Sequence, residues 1–374
     1  MPPFVIDDFR ARRSAMLDLL QTLVEAESPT TDRALVDVVG RLVADRCSAV
    51  GARVRSYPQT AVGDHWLAEW GDGEDGVLLL AHLDTVHPAG TLGHMPWSVA
   101  GDRAGGPGVI DMKGSVALAL TVMEALSPRL PVWPIRILFT TDEETGSHTS
   151  RQLIEELARR HRAVFCLEPA MPDGALKTWR KGTGLFIVET VGRTSHAGNS
   201  PEAGVNAIVE MAHQIQHLQA LARPDSGTTI SVGVISGGTR TNVIPGRCQA
   251  KLDVRVLEDG EPERLDKELR GLQPVLPGAR VEVRGGWNRP PMRRNATMAA
   301  TFGRARSLAT SIGLELKESG TGGGSDANFV AALGIPVLDG LGPLGNGAHS
   351  DDEYLVIDSL AERAALLAVL VSEW

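Results

Sequence analysis

The apolar positions in the first half of the chain fall in short unbroken runs, separated by stretches whose apolar residues recur with helical spacing. Val77-Leu78-Leu79-Leu80-Ala81, Ile135-Arg136-Ile137-Leu138-Phe139 and Ala163-Val164-Phe165-Cys166-Leu167 predict core strands, as in a largely parallel sheet covered by helices. Between about residues 180 and 290 the strands lengthen and alternate. There, Cys248-Gln249-Ala250-Lys251-Leu252-Asp253-Val254-Arg255-Val256 puts Gln249, Lys251, Asp253 and Arg255 on one polar face. Pro201-Glu202 predicts the opening of a helix over about 203–222, and Pro262-Glu263 one over about 264–272. From about residue 291 the first texture returns: Gly322-Gly323-Gly324-Ser325-Asp326 leads into a helix and Ile335-Pro336-Val337-Leu338 into a last short strand. The expected fold class is α/β, with a mostly parallel sheet built from residues 1–179 and 291–374 and an α+β module inserted at 180–290.

Composition narrows the setting. With 374 residues and 43% apolar content, the chain can bury a large core and form more than one domain. Forty-six acids against 37 bases give a net charge of −9 with no basic tract, which argues against nucleic acid or an anionic membrane as partner. No apolar stretch approaches the roughly 18 residues that span a bilayer. Met1-Pro2-Pro3-Phe4-Val5-Ile6-Asp7-Asp8 lacks the basic and apolar regions of a secretory signal, so a cytoplasmic location is expected. Cys47, Cys166 and Cys248 are odd in number and scattered, and are read as free, buried residues.

Candidate chemistry gathers at the strand ends. His82-Leu83-Asp84, Asp111-Met112-Lys113-Gly114, Thr141-Asp142-Glu143-Glu144, Glu168-Pro169 and Gly347-Ala348-His349-Ser350-Asp351 supply imidazoles and carboxylates, with His82, Glu144 and Glu168 at or just past the carboxyl ends of predicted strands. Each alone has a plain explanation: a core histidine, a helix cap, an exposed acidic pair. Together they form a donor set able to hold two divalent metals, since coordination removes the desolvation cost that each buried group carries.

In order and spacing these motifs resemble the M20 zinc peptidase and deacylase family over nearly the whole chain, closest to its glutamate carboxypeptidase (carboxypeptidase G2-like) branch. The resemblance implies a zinc-exopeptidase-type catalytic domain, an inserted lid and dimerisation domain, and two Zn2+ per chain, with Co2+ or Mn2+ as possible substitutes. It implies that His82, Asp111 and Glu168 hold one zinc and that Asp111, Glu144 and His349 hold the other. Asp84 would orient His82, Glu143 would be the general base, and the Asp111–Met112 peptide bond would be cis. Met112 departs from the carboxypeptidase motif, which has a second acid there, while Asp-Met-Lys-Gly is common among the deacylases.

In the inserted module, Ser195-His196-Ala197-Gly198 and Thr241-Asn242-Val243-Ile244-Pro245 also resemble family motifs. His196 would stabilise an oxyanion in the partner subunit's site, while Asn242 and Arg255 would contact substrate. Read from the residues alone, His196 is a solvated loop histidine, while Arg255, on a polar strand face, is either a fork that grips a carboxylate or half of an Arg–Asp pair. Gly322, Gly323 and Gly324 are either an amide cradle for a carboxylate or a tight turn ahead of a Ser or Asp cap. The expected activity is hydrolysis of a small amide or peptide carrying a free α-carboxylate, releasing C-terminal glutamate. N-acyl-amino-acid deacylation of the acetylornithine or succinyl-diaminopimelate type is the alternative, and a non-catalytic metal-binding homologue the remote one. A homodimer through the inserted domain is the expected assembly.

Overall fold

The structure, a computed structural model, describes residues 4–374. Its principal strands are β1 (Arg53–Tyr57), β2 (His65–Trp70), β3 (Gly76–His82), β4 (Ile135–Thr140), β5 (His161–Cys166), β6 (Leu176–Arg180), β7 (Gly182–Val191), β8 (Thr229–Gly237), β9 (Arg247–Val256), β10 (Arg280–Arg289), β11 (Glu318–Thr321) and β12 (Val337–Asp339). The chain separates into two compact units, one of residues 180–293 with 322–324 and one of the remainder.

In the larger unit, eight strands run in the order β1-β2-β4-β3-β5-β12-β6-β11. The central β4-β3-β5-β12 pairings are parallel and β1 and β2 add an antiparallel edge. Every residue of β3 and β4 is buried, which is why these segments read as unbroken apolar runs instead of alternating ones. Helix Gly114–Leu126 is buried at every position but Glu124, and helices Arg13–Glu25 and Ser359–Glu373 share its core. The parallel order sends the carboxyl ends of β3, β4 and β5 to one edge of the sheet, which is where the candidate ligands begin.

The smaller unit is a four-stranded antiparallel sheet in the order β8-β9-β7-β10. Its apolar positions, among them Phe186, Val188, Ala250, Leu252 and Val254, pack on helices Ala207–Ala220 and Glu261–Arg270. Arg180 and Met292 exchange both backbone hydrogen bonds (2.9 and 3.0 Å) where the chain enters and leaves the unit. The first of these helices begins later than its sequence predicts. Pro201–Ala203 forms only a 3-10 turn, Gly204 is extended, and Asn206 then caps the helix by accepting from the amides of Ile208 and Val209. The proline opens a turn, and the residue with a side-chain acceptor starts the helix.

All three cysteines are free and buried, and burial pushes the Cys47 thiol up to about 12. No helix among the described residues is long and apolar enough to cross a membrane.

Candidate metal centre and active site

His82 is the last residue of β3, Glu144 sits in a short turn after β4, and Glu168 follows β5. Asp111 lies in an irregular turn ahead of helix Gly114–Leu126, with a cis Asp111–Met112 bond, and His349 occupies the turn after residue 346 with φ of 66°. A side-chain-bearing residue in this left-handed region is uncommon and is met at functional sites. Met112 is buried and its Sδ accepts the His82 amide at 3.0 Å, so an apolar side chain fills the place of a second acid.

These residues converge on Asp111. His82 Nε2 is 3.1 Å from Asp111 Oδ1 and 3.8 Å from Glu168 Oε1. His349 Nε2 is 3.3 Å from Asp111 Oδ2 and 3.2 Å from Glu144 Oε2. His82 Nδ1 donates to the Asp84 carbonyl at 2.9 Å, and a carbonyl can only accept, so in its neutral form the ring would present a lone pair at Nε2 to a carboxylate oxygen. Two lone pairs at that separation need a proton or a metal cation between them. Glu144 Oε1 is buried without a hydrogen-bond partner, again a lone pair open to a cation. Ligand atoms of His82, Asp111 and Glu144 lie within 4.8 Å of one another, so the residues present fit a metal site.

The electrostatics agree. Hydrogen bonds to Asp111 and Glu144 raise His349 to about 10. Burial alone would raise the Asp111 carboxyl, but the bonds from His349 and His82 outweigh it and hold it well below the usual range. Burial raises Glu144 by more than its bond to His349 lowers it. Protons are drawn into the positions that a divalent ion competes for.

Asp84 is fully buried and does more than face His82. Its carboxylate, 3.5 Å from His82 Nδ1, accepts from Thr30 Oγ1 at 2.7 Å and from the amides of Glu143 and Glu144 at 3.3 and 3.2 Å. The same side chain therefore fixes the turn that carries both acids. Sequence reasoning missed Thr30, which carries no motif signal. It also missed Glu353, whose one signal is its place as third acid in Asp351-Asp352-Glu353, and whose carboxylate accepts amides of the Asp111 loop.

The candidate substrate residues lie in the smaller unit. His196 pairs with Val243 in a two-stranded ladder, and Ala197 donates to the Asn242 carbonyl, so His196 and Asn242 are neighbours. His196 Nδ1 accepts from the amides of Gly198 and Asn199, which leaves Nε2 carrying the proton on an exposed ring. Arg255 is clamped by Asp253 at 2.6 and 2.7 Å and also reaches the Gly322 carbonyl at 3.4 Å. The carbonyls of Gly323 and Gly324 accept from Arg180. Beyond them, Ser325 Oγ accepts the Ala327 amide, while Asp326 takes the hydroxyl of Ser147.

The model of peptidase family M20/M25/M40 matches residues 78–373. The chain belongs to this family. This M20 protein is accordingly a hydrolase of metallopeptidase type, in a family that is metal-dependent. It is 32% identical to carboxypeptidase G2 of Pseudomonas sp. (strain RS-16), over 96% of this chain and 89% of that one. It is 28% identical to succinyl-diaminopimelate desuccinylase of Dechloromonas aromatica (strain RCB), over 94% and 96%. The fold matches aminopeptidase PepT from Bacillus cereus, with TM-score 0.79 and 24% identity over 96% of this chain and 98% of that one.

Proposed function

We propose that this M20 protein is a cytoplasmic dizinc enzyme that hydrolyses an amide bond to release an amino acid with a free α-carboxylate, C-terminal glutamate first among them. The observation that carries the dizinc reading is the pair of imidazoles facing the two oxygens of one carboxylate, Asp111, at 3.1 and 3.3 Å. A carboxylate so placed would offer one oxygen toward each of two divalent ions. His82 and Glu168 would complete one site and Glu144 and His349 the other. Bound zinc would supply Lewis acidity and a water of lowered pKa.

Glu143, next to a ligand and anchored through its amide by Asp84, takes a proton from the attacking water as oxygen adds to the amide carbon. It returns that proton to the nitrogen as the C–N bond breaks, giving a carboxylic acid and an amine. His196, with its proton held at Nε2, is suited to donate to the oxyanion, from the partner subunit in a dimer. The edge strand β8 leaves Val234 and Ile235 more than half exposed, which supports homodimerisation through the inserted unit.

The glutamate carboxypeptidase reading draws on the relative named carboxypeptidase G2. N-acyl-amino-acid deacylation is the second reading, favoured by Met112 in the Asp-Met-Lys-Gly motif and by the desuccinylase relatives. Elemental analysis should find two zinc per chain, and exhaustive chelation should abolish turnover. A panel of glutamate-terminated and N-acyl substrates, scored by released amino acid, separates the readings: glutamate-terminated compounds are expected to lead, and the reverse order moves the enzyme to the deacylases. Full activity after chelation would remove both.

A further inference from the structure

One buried charge beside the metal-ligating residues has no part in the chemistry above. Glu353 lies four residues beyond His349 with a wholly inaccessible side chain, and four hydrogen bonds converge on it. Its Oε1 accepts from the backbone N–H of Ile110 (2.8 Å) and Asp111 (3.0 Å). Its Oε2 accepts from the N–H of Gly108 (3.0 Å) and from His87 Nε2 (2.7 Å). The loop needs this partner. Residues 106–113 turn too irregularly for a regular ladder, with Gly108 at φ of 71° and Asp111 and Met112 outside helical geometry, so their inward amides would otherwise be buried unpaired. Gly108 can take no side chain, because a Cβ there would run into Thr85 and strain the left-handed backbone.

The donors come from separate stretches of chain. Asp111 is the shared ligand, His87 lies five residues beyond His82, and Glu353 itself belongs to the segment of His349. A single carboxylate thus ties together the backbones that carry three of the candidate ligands. We propose that Glu353 is the positioning residue of the metal centre: it pins the Asp111 backbone so that the two carboxylate oxygens face the two imidazoles at once. A carboxylate accepts on both oxygens and satisfies all four donors, whereas a glutamine of the same shape turns an NH2 against at least one backbone N–H. This inference rests on the dizinc reading.

The test measures metal binding directly. Metal-free wild type and Glu353→Gln are titrated with Zn2+ against a chromophoric chelator at low temperature, spectra of the Co2+-loaded forms are recorded, and kcat and KM are determined separately. Wild type should take up two equivalents. Glu353→Gln should bind zinc about 10–100-fold more weakly, the range found when a residue that orients a metal ligand is lost. Its Co2+ bands should shift and kcat should fall while KM stays within roughly twofold, because no substrate contact is removed. His87→Ala should give a smaller loss of affinity, and His87→Gln, which keeps an N–H donor, should restore it. A folded Glu353→Gln with unchanged affinity and Co2+ spectrum, even if thermally weakened, would reduce the residue to a structural brace and overturn the proposal. If that variant does not fold, unchanged metal binding in His87→Ala overturns it instead. A wild type that binds no metal fails the dizinc reading itself, a result separate from either of these.

Discussion

Two sets of acids, one in each unit, are held in opposite ways. In the inserted unit three acids are closed by guanidinium groups of the same chain: Glu189 by Arg247 and Arg284, Asp253 by Arg255, and Glu261 by Arg264 and Arg223. The Arg264 bond holds Glu261 at about 2. At the strand ends of the larger unit, among the described residues, Asp111 and Glu144 are paired with imidazoles alone. A guanidinium stays charged at any working pH and finishes the pairing, whereas an imidazole can surrender its proton and accept a metal. Paired by arginine, a carboxylate is structural. Paired by imidazoles alone, it is still available.

That contrast can be broken most severely at Glu143. Glu143→Gln should leave two metals bound and the fold intact while kcat falls by roughly 10²–10⁴, the span of general acid–base catalysis. Metal analysis of the purified variant checks it; an emptied site with Glu144→Gln still loaded would exchange the roles of the two acids. The next effect lies in the inserted unit. Converting the substrate α-carboxylate to a primary amide should lower kcat/KM by at least about 10², since truncating one side of a charged hydrogen bond costs on the order of 2–5 kcal/mol. Arg255→Ala should narrow the gap between acid and amide. Because Asp253 already grips the guanidinium, Asp253→Asn should widen it, and equal kinetics on acid and amide would remove Arg255 from substrate binding.

The smallest effect concerns His161, which makes the opposite choice from His349. Its Nδ1 donates to the Leu157 carbonyl, Arg136 donates to its Nε2, and burial pushes it down to about 4. A depressed histidine refuses a proton that the unfolded chain accepts near pH 6.5. Its stabilising contribution is therefore complete above that pH and is lost as pH falls toward about 4. Denaturant melts of wild type should lose about 1–2 kcal/mol between pH 6.5 and 5 from this group. His161→Gln should lose correspondingly less over the same interval; parallel curves would mean that the imidazole is not held neutral.

The sequence was most readable where burial is two-sided. The runs at 77–81 and 135–139 fall in β3 and β4, and the run at 163–167 covers the end of β5 and the residue after it, because a strand covered on both faces tolerates few polar residues. The ligand-bearing turns stood out because ionisable residues abut such runs. What local pattern could not supply was partnership. Alternation put Asp253 and Arg255 on one face and so offered their pairing, but it could not decide between that pairing and a grip on a ligand. Nor does the acidic triplet Asp351-Asp352-Glu353 say which acid turns inward, since the loop that receives Glu353 is more than 240 residues away. The late start of helix Ala207–Ala220 has a local cause: the proline signal and the asparagine cap are five residues apart, and the cap wins.

The paired hydrogen bonds between Arg180 and Met292 bring the ends of the inserted unit together. Residues paired in this way have Cα atoms about 5.5 Å apart, so to the rest of the chain the excursion has the footprint of a hairpin turn. The entropic cost of closing a loop grows only slowly with its length, and here a backbone clamp at the neck closes it. A gene encoding such a protein can therefore exchange, lengthen or lose the excursion as a cassette while the register of the eight-stranded sheet stays as it is. One hydrolytic scaffold could in that way be refitted to many substrates.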